Sequence, residues 1–174
     1  TARKREERLL DIPAPISALG AATLERRRAI RLEDYLALVP GATVENTRSG
    51  QTKISFRGVN NGATNATVVV YVDDTPLTGS TGHASTAYVT PNLDPSDLAR
   101  IEVLRGPQGT LYGANAIGGV LRYVTVQPDP NSFGGRLEVG GEAVAHGAAG
   151  LTTRGAVNIP LVRDKIALRV SGYA

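Results

Sequence analysis

The sequence predicts an α+β fold, in which a small mixed sheet with short helices and long loops is followed by antiparallel strands. Three patterns indicate this fold. Apolar residues recur at helical spacing from Leu32 to Val39, a β-branched run covers Thr67 to Val72, and strict alternation begins at Arg136. The change of period therefore separates a mixed first part from an all-β second part.

Short elements are predicted near the start of the chain. The segment Ile12 to Ser17 contains two prolines, which cannot donate to a sheet ladder, and this favours a short edge strand. Helix-forming residues follow from about Ala22 to Ile30. From Leu32 to Val39, apolar residues stand at i, i+3, i+4 and i+7, which predicts an amphipathic helix that ends at Pro40.

The strands of the first part differ in their expected burial. Ile54 and Phe56 alternate with polar residues, as in a half-buried strand. The unbroken run from Thr67 to Val72 predicts a central strand that is buried on both faces. The segment Asp94 to Asp97 has the composition of a turn, and it leads through one helical turn into a strand at Arg100 to Leu104.

A glycine-rich segment joins that strand to the next apolar run. Five of the fourteen residues from Gly106 to Gly119 are glycine, so the backbone there must turn sharply, adopt positive φ, or allow a close approach. A phosphate-binding loop is excluded, because no lysine occurs between Lys53 and Lys165 and the G-x-G-x-x-G spacing is missing.

The composition excludes several classes of function. The chain has no cysteine, and its only histidines, His83 and His146, have no carboxylate cluster around them, so no metal site or cofactor is predicted. No serine–histidine–aspartate or paired-acid arrangement indicates an enzyme, and the adjacent Asp73 and Asp74 are interpreted as solvated turn residues. The basic N-terminal segments contain no aromatic residue, which argues against nucleic-acid binding.

Alternation of apolar and polar residues dominates the end of the chain. It runs from Arg136 to His146, from Leu151 to Leu161 and from Lys165 to Tyr173, after a linker rich in proline and glycine. Three such strands joined by short turns are typical of outer-membrane β-barrels. They are equally typical of an ordinary antiparallel sheet with one wet face, and the pattern alone leaves both interpretations open.

Three motifs carry a family resemblance. The runs ISFRG (Ile54 to Gly58), VVVYVDDTPL (Val68 to Leu77) and VLRGPQGTLYGANAIGG (Val103 to Gly119) resemble, in this order, the plug domain of TonB-dependent outer-membrane receptors. The opening TARKREERLLDIPAPISAL resembles the segment that follows the TonB box. The resemblance implies a plug domain at residues 1–127, a linker at 128–135, and at 136–174 the first strands of an incomplete, truncated transmembrane β-barrel.

The same resemblance implies a function and partners. The plug would occlude the barrel in the outer membrane of a Gram-negative bacterium and gate energy-dependent uptake of a scarce nutrient, most simply a ferric siderophore. The partners would be the remainder of the barrel, the ligand, and TonB, which would bind through a TonB box missing from this chain. The alternative is a soluble ligand-binding or regulatory module with a plug-like fold.

Candidate residues follow from the resemblance. Strand alternation places Arg105 on the apolar face of its strand and Glu102 on the other, and a buried arginine needs a carboxylate. The resemblance implies that Arg57 and Arg105 pair with barrel glutamates, and that Arg57, Glu102 and Arg105 form a plug–barrel lock. The expected tight turn comprises Gly106, Gly109, Gly113, Gly118 and Gly119. The expected ligand contacts in the polar loops are Arg48, Asn60, Asn61, Asn65 and His83.

Overall fold

The computed structural model describes residues 15–48, 51–59, 67–77, 93–113, 116–143 and 149–174. The chain divides into two compact units, Thr1–Thr125 and Val126–Ala174. Within the described segments, no helix is long and apolar enough to cross a membrane.

The first unit is a mixed sheet with three short helices and a hairpin, as far as its residues are described. In chain order, its elements are β1 (Ile16–Gly20), α1 (Ala21–Arg27), α2 (Leu32–Leu36), β2 (Ala42–Arg48), β3 (Gln51–Phe56), β4 (Val68–Val72), β5 (Thr75–Pro76), β6 (Leu98–Arg105), α3 (Gly109–Tyr112) and β7 (Gly119–Thr125). Five strands form one sheet in the order β1-β6-β7-β4-β5, and β2 pairs with β3. Strands β4 and β7 run parallel and the other neighbours run antiparallel, so the predicted mixed sheet is confirmed.

The two N-terminal helices are shorter than predicted. Helix α1 ends at Arg27, and the next residue, Arg28, adopts a left-handed conformation with φ of 49°, and its backbone N–H donates to the Glu25 carbonyl. Helix α2 has its own capped N-terminus. The Asp34 carboxylate accepts hydrogen bonds from the backbone N–H groups of Ile30 and Arg31 at 3.0 and 2.8 Å. The predicted apolar face is confirmed: Leu32, Tyr35, Leu36 and Val39 are all buried.

Core residues cover both faces of the five-stranded sheet. One face buries Val68, Val70, Ile101, Val103, Leu121 and Tyr123 in a cluster with the apolar residues of α1, α2 and β3. The other face buries Val69, Leu104 and Val120 against Tyr112 and Ala116. Strand β4 is therefore buried on both faces from Val68 to Val70, as its unbroken β-branched run predicted, while its last two residues are half-buried.

Strand β1 lies at one edge of this sheet. Of the predicted segment Ile12 to Ser17, residues 12–14 lie outside the described residues, and the strand observed is Ile16–Gly20.

A single 3₁₀ turn, Pro95–Asp97, precedes β6, and the Asp94 carboxylate accepts a hydrogen bond from the Ser96 N–H at 2.8 Å. The predicted turn before β6 is thus confirmed.

The second unit is an antiparallel sheet in the order β10-β9-β8, formed by β8 (Gly134–Ala143), β9 (Ala149–Val162) and β10 (Ile166–Tyr173). Its register places Leu137 opposite Gly155 and Leu168 opposite Ile159, so the apolar residues of all three strands share one face. That face is exposed: 79% of Leu137 and 71% of Leu151 are accessible to solvent.

A buried asparagine fastens the segment before β8 to the polar face of β9. Asn158 accepts a hydrogen bond from the Asp129 N–H at 2.9 Å and donates to the carbonyls of Asp129 and Ser132 at 2.9 and 2.6 Å. The Asp129 carboxylate accepts from Asn131 N–H and the Ser132 hydroxyl, and these bonds lower the pKa of that carboxyl. The chain leading into β8 is therefore held by side-chain contacts within the second unit.

Candidate functional site

The glycine-rich segment forms a compact turn between β6 and β7. Its two sides are joined by backbone hydrogen bonds from Gly106 to Gly118 at 2.9 Å and from Gln108 to Ala116 at 2.8 Å. The single-turn helix α3 occupies its middle. The Gly118 N–H also donates to the Thr67 carbonyl at 2.8 Å, so the turn is attached to the residue that precedes β4.

Four of the five predicted glycines meet a specific backbone or space requirement. Gly106 and Gly113 adopt positive φ values of 95° and 89°, which favour glycine. A Cβ at Gly118 would lie 3.1 Å from the Thr67 carbonyl, and a Cβ at Gly119 would collide with the Leu104 carbonyl and lie 2.7 Å from Phe56. Gly109 has neither requirement, because its φ is not positive and a Cβ there would have no other atom within 4 Å.

Arg57 lies at the end of β3 in a tight turn. The Val59 N–H donates to the Phe56 carbonyl at 3.0 Å, and Arg57 and Gly58 have φ values of 53° and 71°. Two consecutive positive φ values inside such a bond define a type I′ β-turn. The Arg57 side chain is exposed, and no carboxylate among the described residues forms an ion pair with it.

Arg105, at the end of β6, is held by two backbone carbonyls. Its Nη1 donates to the Pro40 carbonyl at 2.9 Å, and its Nε donates to the Pro15 carbonyl at 3.4 Å. Its backbone N–H also donates to Pro15 at 3.2 Å. Within the described part of the chain, Arg105 forms no ion pair. The structure thus shows a contact of Arg105 that sequence reasoning missed, since carbonyl groups have no signature in the sequence.

Glu102 lies on β6 but does not meet Arg57 or Arg105. Its carboxylate contacts the Arg100 Nε at 2.7 Å and the Arg122 Nη1 at 3.5 Å. The side chains of Glu102 and Arg122 are only 5% and 7% exposed, so this is a buried ion pair, formed directly across the β6–β7 register. Both partners belong to the sheet of the first unit.

Arg122 joins this pair to the end of β4. Its Nη2 contacts Asp74 at 3.1 Å, and its Nε donates to the Asp73 carbonyl at 2.6 Å. Arg122 was not predicted from the sequence as part of a site. The available signal was a lone charge within the apolar run GVLRYVT, because a charge on a buried strand requires a partner.

The interpretation of Asp73 as a solvated turn residue is wrong. Its carboxylate accepts from the backbone N–H of Thr125 at 2.9 Å and from the Thr125 hydroxyl at 2.8 Å. Asp73 also has φ of 51°, which lets the chain reverse into β5. Asp74, by contrast, is 72% exposed, although it pairs with Arg122. Asp73 therefore connects the C-terminal end of β4 to the C-terminal end of β7 by hydrogen bonds.

Two tyrosines lie beside the buried ion pair. Tyr71 and Tyr112 pack edge to face with ring centroids 5.2 Å apart, and the Tyr71 hydroxyl donates to the Tyr112 carbonyl at 3.3 Å. Burial raises the pKa of Tyr112, and the nearby Arg122 acts in the opposite direction. Helix α3 is thereby attached to the face of the sheet that carries Glu102.

The expected ligand contacts are mostly outside the described residues. Asn60, Asn61, Asn65 and His83 lie there, whereas Arg48 ends β2 with a described backbone only. Among the residues that the structure describes, no group of three or more His, Cys, Asp or Glu side chains is placed to hold a metal ion.

Comparisons with known proteins agree with the architecture. Residues 8–120 match the family model of the TonB-dependent receptor plug domain. The hemin receptor of Yersinia pestis is 34% identical over 141 residues, which are 76% of this chain and 19% of that receptor. This chain therefore spans about a fifth of the length of that curated relative.

Solved structures share the fold over almost the whole chain. The ferric yersiniabactin uptake receptor of Yersinia pestis superposes with a TM-score of 0.66 at 25% identity, over 92% of this chain and 24% of that one. The ferripyoverdine receptor of Pseudomonas aeruginosa gives 0.75 at 20% identity, over 99% and 21%. All three of these proteins are receptors by name. The chain therefore belongs to the TonB-dependent receptor plug domain family of Gram-negative outer-membrane proteins.

Proposed function

We propose that this chain supplies the plug and the first barrel strands of a receptor that takes up a scarce, iron-carrying nutrient across the outer membrane. Residues 1–127 would form the plug, 128–135 the linker and 136–174 the strands. Support for the ligand class comes from the relatives, which are receptors for hemin, ferric yersiniabactin and ferripyoverdine. The family match supports this proposal over a soluble regulatory module.

The observation that carries the proposal is the exposed apolar face of the second unit. Leu137 on β8 is 79% exposed, and Leu151 and Leu161 on the neighbouring strand β9 are 71% and 60% exposed. The opposite face carries Arg154, Asn158 and Arg169, which are half-buried or buried. A sheet with an uncovered apolar face and a polar reverse suits a barrel wall, in which lipid covers the outside and the lumen is polar.

The first unit suits the role of a plug. Its mixed sheet has a buried core on both faces, and the tight β6–β7 turn leaves Leu111 and Ile117 exposed at 45% and 58%. We propose that the turn packs against the inner wall of the barrel, and that Arg57 and Arg105 pair there with barrel glutamates. In this arrangement the plug closes a pore that would otherwise leak, and the chain itself has no catalytic role.

Gating would couple ligand binding to the N-terminal segment. Ligand bound at the polar loops would shift the population of conformations in which TonB can grasp that segment. Pulling on the segment would then displace part of the plug and open a path for the ligand. The candidate ligand contacts in these loops are Arg48, Asn60, Asn61, Asn65 and His83.

Growth on defined iron sources tests the proposal. The complete receptor would be expressed in a Gram-negative host that lacks its own receptors for iron carriers, and iron would be supplied only as hemin or as one ferric siderophore at a time. We expect growth on at least one source, and loss of that growth in a matched host without TonB. Growth that does not depend on TonB would contradict the gating mechanism.

The plug–barrel lock has its own test. Arg57→Gln, Arg105→Gln and the double variant would be reconstituted in planar bilayers, and the ion conductance of each receptor would be measured. If the arginines hold the plug against barrel carboxylates, the double variant will conduct more than the wild type. Equal conductance of all four proteins would remove the lock from the proposal.

A further inference from the structure

Strand β1 forms one edge of the five-stranded sheet, and the two-residue strand β5 forms the other edge. Among the described strands β1 pairs with β6 alone, in an antiparallel register that runs from Ile16 opposite Leu104 to Gly20 opposite Arg100. All five of its residues are half-buried rather than buried. Pro15 directly precedes this strand. A pulling force on the residues before Pro15 would therefore act first on the hydrogen bonds between β1 and β6 that lie nearest to Arg105.

Arg105 makes its hydrogen bonds at the end of β1 where the chain enters the strand. The Pro15 carbonyl accepts from both the backbone N–H and the Nε of Arg105, at 3.2 and 3.4 Å. The same guanidinium reaches the Pro40 carbonyl with Nη1 at 2.9 Å. Because proline has no N–H, Pro15 can be held to the sheet only through its carbonyl or its ring. Arg105 therefore connects the residue that directly precedes the edge strand to the loop after α2.

We propose that Arg105 is a positioning residue that latches the entering end of β1, so that β1 leaves the sheet only after the bonds of Arg105 to the Pro15 carbonyl break, while the bond to the Pro40 carbonyl holds the guanidinium in place. The consequence for gating rests on the proposed function, since it requires a pull on the N-terminal segment. The latch is distinct from the plug–barrel lock, because both of its acceptors are carbonyls of the first unit. A single guanidinium can serve both, since Nη2 makes no hydrogen bond to any described residue.

The latch depends on the shape of arginine as well as on its charge. A guanidinium presents five N–H donors in a rigid planar fork, which allows Nε and Nη1 to reach two separate carbonyls. A lysine keeps the positive charge that a barrel carboxylate would attract, but it lacks the fork. Arg105→Lys therefore separates the latch from the lock.

Arg57 provides a matched control. Like Arg105, it lies where a strand ends, precedes a glycine and is a candidate for the lock, although Arg57 directly follows its strand and Arg105 is the last residue of its own. Its side chain is exposed, however, and its described contact with the loop after α2 is made by its backbone N–H, which donates to the Gly41 carbonyl at 2.7 Å. Arg57→Gln should thus weaken a lock without touching the latch.

Hydrogen–deuterium exchange of the complete receptor, without ligand or TonB, tests the proposal. We expect Arg105→Gln and Arg105→Lys each to raise the exchange rate of the amides of Ile16–Gly20 by roughly tenfold, the effect of losing about one net hydrogen bond. Exchange in Val68–Val72 should stay unchanged, and Arg57→Gln should leave both segments as in the wild type. If Arg105→Gln does not assemble, the lysine variant carries the test.

Two results would overturn the latch. One is wild-type exchange of Ile16–Gly20 in Arg105→Lys, and the other is an equal rise in Arg57→Gln. Force spectroscopy provides a readout that general destabilisation would not reproduce: pulling the N-terminus should give a lower first rupture force in Arg105→Lys than in Arg57→Gln. Both measurements are made without transport, so failure of TonB-dependent growth would remove the proposed function and leave the latch standing.

Discussion

The hydroxyl groups of Tyr35 and Tyr123 lie 2.6 Å apart in the core of the first unit. Their rings meet edge to face, with centroids 6.1 Å apart and planes at 88°, and both residues are fully buried. Tyr35 belongs to α2 and Tyr123 to β7, so the pair satisfies two buried polar groups and joins the helix layer to the sheet.

This tyrosine pair predicts a loss of stability in alkali. Burial raises the pKa of Tyr123 to about 12 and raises the pKa of Tyr35 further. Because the folded-state pKa exceeds the unfolded value of about 10, the stabilisation is complete below pH 10 and is lost as the pH rises toward 12. We expect the free energy of unfolding to fall by on the order of 2 kcal/mol at pH 11.

Calorimetry of thermal unfolding between pH 8 and pH 11 would measure this loss. The matched control is the double variant Tyr35→Phe/Tyr123→Phe, which retains the rings and lacks the buried hydroxyls. It should show a clearly smaller alkaline loss than the wild type. Identical pH profiles of the two proteins would contradict the assignment to these tyrosines.

Gly119 should tolerate no side chain, because a Cβ there collides with the Leu104 carbonyl and approaches Phe56 to 2.7 Å. Gly119→Ala should destabilise the first unit by about 3 kcal/mol or more, through overpacking between two strands. Gly109→Ala is the control, since it adds a methyl group in open space, and its effect should stay within about 1 kcal/mol. Denaturant titration would compare the two, and equal effects would contradict the close packing around Gly119.

The buried ion pair should matter far more than an exposed one of the same type. Arg122→Met leaves the 5% exposed carboxylate of Glu102 with less compensation, so we expect a loss of about 2–3 kcal/mol. Arg136→Met breaks a pair whose side chains are 47% and 43% exposed, and it should change stability by less than about 0.5 kcal/mol. Thermal unfolding of both variants would decide, and comparable losses would show that Glu102 is well solvated.

Asn158 should control the segment that leads into β8. Asn158→Ala removes hydrogen bonds to Asp129 and Ser132, so amide exchange between residues 129 and 133 should rise by at least about tenfold. Asn131→Ala is the control, because the described bond of Asn131 to Asp129 comes from its backbone. Equal protection in both variants would mean that other contacts hold the segment.

Regular features of the first unit followed from local patterns. The buried face of α2 could be predicted because four apolar residues recur at helical spacing, and the buried strand β4 because valine and tyrosine, which favour strands, run there without a polar residue between them. Gly106 and Gly113 could be expected to have unusual backbone conformations, since glycine is the residue that tolerates positive φ.

Other features depended on long-range contacts or on uncommon local conformations. The partner of Glu102 was missed, because the Glu102–Arg122 contact depends on the register between β6 and β7. Likewise, α1 ends where Arg28 enters a left-handed conformation, which a residue other than glycine adopts only in particular surroundings. Neither feature leaves a periodic pattern.

The pairing of β1 with β6 also has a consequence for the order in which the sheet forms. Because β6 follows β1 by most of the length of the first unit, β1 can meet its described partner only after Leu98–Arg105 has been synthesised, and closing that long loop is slow. In the folded unit β6 also pairs with β7 on its other side, so it would remain as a preformed template if the proposed pull detached β1. A displaced β1 would then return by pairing with an existing edge, which would not require the rest of the sheet to refold.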